Sequence, residues 1–338
     1  MPPAIRADAC VRPRPARFRV RVSRVSHPVD VLFITSNRLG DAVLTTGLLG
    51  HLVETLPEAR FTIACGPIPA PLFRTVPRLR RLIPMGKRRW SLHWFDLWRQ
   101  VAGTRWDLVV DLRDSAVSRL VLARKRAVFR HGGPVRHKVE QLASVLRAEP
   151  PPAPRLWFDA PLRAEAERLT GPGPLLALGP AANWTGKEWP ADRYAELADR
   201  LTGPGGPLSG ARVLVLAGPG EAERCRPVLE RLGAGRAVDL IGRTDPLLAG
   251  ACIARAVLFV GNDSGLMHVA AASGTPTLGV FGPTPAEIYG PWGAHADHII
   301  AQNVPGDSPE ARMRRLSVDE VEAAVLGLLA RTKGDAFW

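Results

Sequence analysis

The residues best suited to chemistry cluster in one stretch, 257–293. There Asp263-Ser264-Gly265-Leu266 follows the short apolar run 257–260 and precedes small residues that continue to Ser273. A continuous apolar run of that length reads as a strand buried on both faces, and the small residues after it as a helix. A tight turn into a helix leaves the first backbone N–H groups without intrahelical partners. With the positive end of the helix dipole they suit an anion such as phosphate. Gly265 lets a ligand approach the backbone closely. The plainer alternative is that Asp263 or Ser264 only caps the helix. His268 follows Ser264 by four residues, one turn on and on the same face; it is either a packed histidine or a ligand-facing one. Residues 277–281 form a second buried-strand run ending in Gly282-Pro283-Thr284. Two consecutive strands thus release glycine-bearing loops at their carboxyl ends, where open α/β sheets bind ligands.

Three more residues could serve the same ligand. The run 175–178 empties into the loop 179–190, which carries Lys187, the one lysine between Lys138 and Lys333 in a chain with 40 arginines and 5 lysines. A lysine there is a compact charge on a flexible stem, fit for a phosphate, or else a solvated loop charge. After the strand 212–217, Gly218-Pro219-Gly220-Glu221 opens a helix, and Glu221 could be no more than a first-turn acidic residue. Asp41 closes the loop 37–41 between the strand 31–34 and a helix expected from about Ala42 to Leu56. Capping and dipole complementarity alone would account for an acidic residue there.

The spacing D-S-G-L-M-H-x-A-A followed by F-G-P-T, and R-L-G-D-A-V-L-T-T-G-L-L around Asp41, resemble the heptosyltransferases that build the inner core of bacterial lipopolysaccharide, glycosyltransferase family 9. The resemblance runs from about Val31 to Leu329. It implies an α/β chain of the GT-B class, with two Rossmann-like domains whose parallel sheets face across a cleft. It implies an inverting transfer with Asp41 as the general base. Through K-x-W-P it places Lys187 on the donor diphosphate, beside the backbone of Ser264, Gly265 and Leu266. Glu221 would hold the nucleotide ribose, Asp263 and His268 would face the nucleotide sugar, and Arg113, Arg136 and Lys138 would lie on the acceptor side. The implied donor is ADP-heptose and the implied acceptor a lipid A–core saccharide, with no cofactor. One departure is Ala311-Arg312-Met313-Arg314-Arg315, where relatives often carry a cysteine. A nucleotide-sugar epimerase of the same architecture and a non-catalytic nucleotide-sugar binder are the rival readings.

The elements that must position these residues follow from composition. A chain of 338 residues with 46% apolar content suits two α/β domains. Glu149-Pro150-Pro151-Pro152-Ala153-Pro154 reads as a linker, because successive prolines disfavour helix and lack ladder donors. Domains are therefore expected at 29–150 and 151–338, after a basic extension at 1–28. In that extension Arg17-Phe18-Arg19-Val20-Arg21-Val22 alternates, which fits an edge strand, a segment on lipid headgroups or a disordered arm. No 18 apolar residues run uninterrupted, so no membrane span is expected. The cysteines, Cys10, Cys65, Cys225 and Cys252, have no metal or redox spacing and read as reduced, implying a cytoplasmic setting.

Charge is uneven. Residues 1–150 carry 27 basic and 11 acidic side chains, and the remainder 18 and 21, giving +16 against −3. The basic half should face an anionic partner: an anionic membrane surface touched peripherally, at the inner face of the inner membrane, or a phosphorylated acceptor. No nucleic-acid-binding motif accompanies the charge, so nucleic acid is not expected. Arg78, Arg80, Arg81, Lys87, Arg88 and Arg89 are a solvated face or contact acceptor phosphates, and a second cluster spans 130–138. Trp90, Trp94, Phe95 and Trp98 follow helical spacing and read as core packing. The sequence has no Asp-x-Asp, which points to a metal-independent reaction.

Overall fold

In a computed structural model, which describes residues 28–130, 132 and 134–332, the chain forms two parallel sheets. Expectations placed on residues 1–27, including Cys10, and on His131 lie outside the described residues. The first sheet has the order β3-β2-β1-β4-β5, from β1 (Val29–Ile34), β2 (Ala59–Cys65), β3 (Leu79–Pro84), β4 (Trp106–Asp111) and β5 (Ala123–Val128). The second has the order β11-β10-β9-β6-β7-β8, from β6 (Leu175–Gly179), β7 (Arg212–Val215), β8 (Ala237–Asp239), β9 (Leu258–Asn262), β10 (Thr277–Phe281) and β11 (Ala296–Ile300). Helices α1 (Leu39–Thr55), α2 (Leu92–Val101), α3 (Val117–Leu120) and α4 (Lys138–Ala143) belong with the first sheet. Those that follow are α5 (Ala160–Thr170), α6 (Ala191–Thr202), α7 (Ala222–Leu232), α8 (Pro246–Ile253), α9 (Gly265–Ala272), α10 (Ala286–Tyr289), α11 (Pro309–Arg315) and α12 (Val318–Thr332). This is the GT-B architecture that the resemblance implies.

Alternation along the strands explains the layers, because successive side chains point to opposite faces. Val31 and Phe33 of β1 pack toward α1, while Leu32 and Ile34 join Leu97 and Val101 of α2 on the other face. In β6, Leu175 and Ala177 share the core that contains α1 and α9, and Leu176 and Leu178 enter the core under α6 and α12. One core therefore runs from sheet to sheet. The proline-rich segment crosses it: the Arg155 amide donates to Thr46 Oγ at 3.0 Å, and Thr75 Oγ donates to the Trp157 carbonyl at 2.5 Å.

The start of α1 and the aromatic stripe differ from expectation, and the basic cluster resolves to one of its two alternatives. Helix α1 starts at Leu39, not Ala42, with Arg38 at its N-cap and no side-chain cap, so Asp41 lies in its first turn. The stretch 78–84 is mostly the edge strand β3, and Arg78, Arg80 and Arg81 are exposed, the solvated-face alternative, while holding local partners. Arg80 pairs with Asp30, Arg81 with Gln100, and Arg78 donates to the Ala59 and Val53 carbonyls. Basic side chains on an edge strand discourage further pairing. In the aromatic stripe only Trp94 and Trp98 pack against the core; Trp90 and Phe95 are exposed.

Candidate active site

Each sheet reverses its strand order at one place, between β1 and β4 in the first and between β6 and β9 in the second. Loops leaving the carboxyl ends of such strand pairs diverge and open a crevice. Residues 35–38 and 112–114 leave the first sheet there, and residues 180–184 and 263–264 the second. The two crevices merge into a single cavity of about 1380 Å³. Its wall contains Asp41, Arg113 and Lys138 from the first half, with Glu221, Lys187 and His268 from the second. Asp263, Ser264, Gly265 and Leu266 complete that side. Arg136 is not on the wall. Its side chain is exposed ahead of α4, and its carbonyl accepts from Gln141 Nε2 at 2.8 Å.

Asp263 and Ser264 do not cap α9 with their side chains. The Asp263 carboxylate accepts from Lys187 Nζ at 2.6 Å, with 9% of its side chain exposed and 23% of the lysine's. Ser264 is the N-cap residue without a side-chain cap bond, and its Oγ is buried with no partner among the described residues. Asn37 Oδ1 and His268 Nδ1, also on the cavity wall, are buried and unpartnered in the same way. Buried polar atoms normally have partners, so three orphans on one wall mark places where a bound molecule would supply them. The loop that carries Lys187 is held by Asn262, which is fully buried. Its Oδ1 accepts from the Trp189 amide and the Tyr194 hydroxyl, both at 2.9 Å, and its Nδ2 donates to the Pro180 carbonyl at 2.7 Å.

The two halves touch closely beside Asp41. A Cβ on Gly40 would lie 2.9 Å from His268 Cδ2, and one on Gly265 would lie 2.8 Å from Leu39 Cδ2. Glycine at both positions lets the starts of α1 and α9 meet, which brings Asp41 toward the open amides of α9. Asp41 is half-buried, and its one hydrogen-bond donor among the described residues is Ser36 Oγ, at a long 3.4 Å. Burial pushes the His268 imidazole down to about 4, against the opposing pull of Asp263 and Asp41, so the ring is neutral at pH 7. Lys138, over the Phe129 ring at 4.4 Å, is lowered by burial and raised by the nearby Asp41 charge.

Glu221 sits at the N-cap of α7, where its carboxylate accepts from the Gly218 amide at 2.5 Å and from Arg224 Nη2 at 2.8 Å. Arg224 Nη1 reaches the Ala182 carbonyl at 2.7 Å and the Glu188 carboxylate. One guanidinium therefore joins the Lys187 loop to the Glu221 loop. Asn37, Glu188, Arg224 and Asn262 escaped the reading of the sequence. The i,i+3 spacing of Glu221 and Arg224 and the place of Glu188 beside Lys187 were the available signals.

The sequence pattern of glycosyltransferase family 9 (heptosyltransferase) matches residues 137–315, more than half of the chain. Lipopolysaccharide heptosyltransferase 1 of Pseudomonas aeruginosa is 28% identical over 307 residues, covering 80% of this chain and 83% of that protein. Among solved structures, a family 9 glycosyltransferase of Veillonella parvula superimposes with a TM-score of 0.75 at 21% identity, covering 89% of this chain and 97% of that one. An Escherichia coli heptosyltransferase solved with ADP gives a TM-score of 0.70 at 20% identity, covering 89% and 100%. A cavity built at two facing switch points and a family pattern spanning most of its carboxy-terminal wall agree: the chain belongs to glycosyltransferase family 9, the heptosyltransferases, and is a glycosyltransferase.

Proposed function

We propose that the enzyme transfers heptose from ADP-heptose to a lipopolysaccharide-core saccharide by a single inverting displacement that needs no metal. The observation that carries the reading is that Asp41, the Lys187–Asp263 pair and the start of α9 line one cavity between the two sheets. Its volume exceeds the roughly 300–1,000 Å³ of small-ligand pockets, which suits a nucleotide sugar together with the end of an acceptor. The ADP in the E. coli relative and the name of the P. aeruginosa relative support the choice of donor and acceptor.

In this reading the acceptor hydroxyl gives its proton to the Asp41 carboxylate as its oxygen bonds to the anomeric carbon. The bond from that carbon to the diphosphate oxygen breaks, and the electron pair leaves with ADP. Negative charge growing on the diphosphate is met by Lys187 and the amides of Gly265 and Leu266, with Ser264 Oγ free to donate as well. These fixed donors do the work a divalent ion would otherwise do. Attack from the face opposite the leaving group inverts the anomeric configuration. Asp263 keeps Lys187 aimed at the cavity, and the neutral His268 offers a hydrogen-bonding ring without adding charge. Glu221 binds the ribose hydroxyls, and Arg113 and Lys138 hold the anionic acceptor. In this reading the enzyme meets its acceptor peripherally, from the cytoplasmic side; no helix among the described residues is long and apolar enough to cross a membrane.

The test is transfer from ADP-heptose to a lipid A–core acceptor, with and without EDTA, reading ADP release and the anomeric configuration of the product. Inverted product at equal rates in both samples is expected. Retained configuration, loss of turnover in EDTA, or turnover only with another donor would overturn the corresponding part.

A further inference from the structure

The face of the first sheet that carries α2 and α3 is thinly covered. Helices of 10 and 4 residues put Leu97, Val101 and Val117, with Val121 just after the second, onto Leu32, Ile34 and Val109. The outside of such a cover should be polar, and here it is not. Trp90 is 86% exposed, Leu92 44%, Phe95 53%, Leu120 65% and Leu122 68%. All five lie in or next to α2 and α3, which pack on one another. Trp90 lies in the turn Arg89–Ser91 that leads into α2; Phe95 stacks on Trp98 with centroids 5.7 Å apart; and Trp98 Nε1 points at the Leu120 carbonyl at 3.5 Å. Isolated exposed apolar side chains are ordinary, whereas a contiguous strip marks an interaction surface.

The strip is set in positive charge. Residues 88–126 hold nine basic and four acidic side chains, nine minus four giving +5. Arg88 and Arg119 pair with Asp96 and Asp114, but exposed Arg89, Arg99 and Lys125 have no ion-pair partner among the described residues. An outward tryptophan, phenylalanine and leucines among unpaired cations match the boundary of an anionic bilayer, where rings sit at headgroup depth and cations meet phosphates. A second copy of the chain fits less well, because a two-fold contact would press two faces bearing the unpaired Arg89, Arg99 and Lys125 together. The strip also starts at the cleft: Lys87, just before Trp90, lines the catalytic cavity.

We propose that Trp90, Leu92, Phe95, Leu120 and Leu122, with Arg89, Arg99 and Lys125, form the surface on which the enzyme docks to an anionic lipid bilayer. The proposal rests on the glycolipid-acceptor reading for its purpose: Arg113, on the cavity wall, lies over the Trp94 ring of α2, so docking by this face brings that edge of the cleft near the layer that holds the acceptor's acyl chains.

The test is flotation of the full-length chain with vesicles of phosphatidylcholine alone or with 30% phosphatidylglycerol. The wild type is compared with Trp90→Ser/Phe95→Ser and with Arg89→Glu/Lys125→Glu, and each protein is also assayed with a deacylated acceptor. Expected are binding of the wild type to the anionic vesicles, a loss of tenfold or more in both variants, and unchanged transfer to the deacylated acceptor. Equal vesicle binding in wild type and variants overturns the proposal by placing the contact elsewhere, residues 1–27 included. A wild type that ignores vesicles overturns it too, as does one that dimerises through this face in sedimentation. Absent transfer by the wild type alongside intact vesicle binding would instead count against the transferase reading.

Discussion

Replacing Lys187 with methionine separates two jobs that the structure gives one side chain. Its ammonium lies 2.6 Å from an Asp263 carboxylate that is only 9% exposed. Removing it leaves that carboxylate buried and unpaired, a change that costs about 3–5 kcal/mol for a fully buried pair. Lys187 keeps 23% of its side chain in water, so the lower end, about 3 kcal/mol, is expected. At roughly 2–4 °C per kcal/mol for domains of this size, the melting temperature should fall by about 6–12 °C. Converting the partner as well, in Lys187→Met/Asp263→Leu, removes the stranded charge and should bring stability back to within about 1 kcal/mol of wild type. Affinity for ADP should not return. A charge-assisted hydrogen bond to the diphosphate is worth about 1.5–3 kcal/mol, so ADP should bind roughly 10–150-fold more weakly to both variants. Scanning calorimetry gives the first quantity and titration calorimetry the second. If the double variant regains ADP affinity along with its melting temperature, Lys187 serves only to neutralise Asp263 and the assignment to the diphosphate fails.

Other perturbations test neighbouring parts. His268 titrates near 4 when folded, below the ordinary value of about 6.5. Between those limits the unfolded chain binds a proton that the folded chain does not. Stability should therefore fall by up to about 3 kcal/mol as pH drops from 6.5 to 4 and level off below; His268→Gln should flatten that slope in urea titrations, and an unchanged slope would contradict the cause. A Cβ on Gly47 would meet the Pro152 carbonyl oxygen at 2.2 Å, so Gly47→Ala should destabilise by about 2 kcal/mol or more despite its helix propensity, while Gly86→Ala, with open space around it, should be near neutral in the same urea titrations. Arg224→Met should raise the KM for donor about tenfold with kcat little changed, and Arg224→Lys should recover only part, because one ammonium cannot replace the fork between two loops. A fall in kcat at constant KM would give Arg224 another role.

What the sequence disclosed follows from burial. β1, β6, β9 and β10 stand out as apolar runs because helices cover both faces of their sheets, and the loops after β6 and β9 announce themselves by their glycines. The strands β3, L-R-R-L-I-P, and β5, A-R-K-R-A-V, escaped notice because each has a single neighbour and half its side chains in water. Helical spacing grouped Trp90 and Phe95 with Trp94 and Trp98, but periodicity does not reveal how wide a strip the neighbouring layer covers. The start of α1 lies three residues before its expected place because its N-cap is Arg38, a backbone cap with no side-chain signal. Within the site, single residues of chemical character on glycine-bearing loops were legible. The Asn262 and Arg224 networks were not, since each joins segments dozens of residues apart through contacts that only the folded chain creates.

The central claim is that one carboxylate of the first half acts as base on an acceptor whose donor is seated by the second. It is tested most directly by the turnover of Asp41→Asn, which keeps the side chain's size and removes its basicity. The expected result is a kcat lowered by about 10²–10⁴-fold, with ADP affinity within twofold of wild type. Transfer by the variant at a rate close to that of the wild type would contradict it.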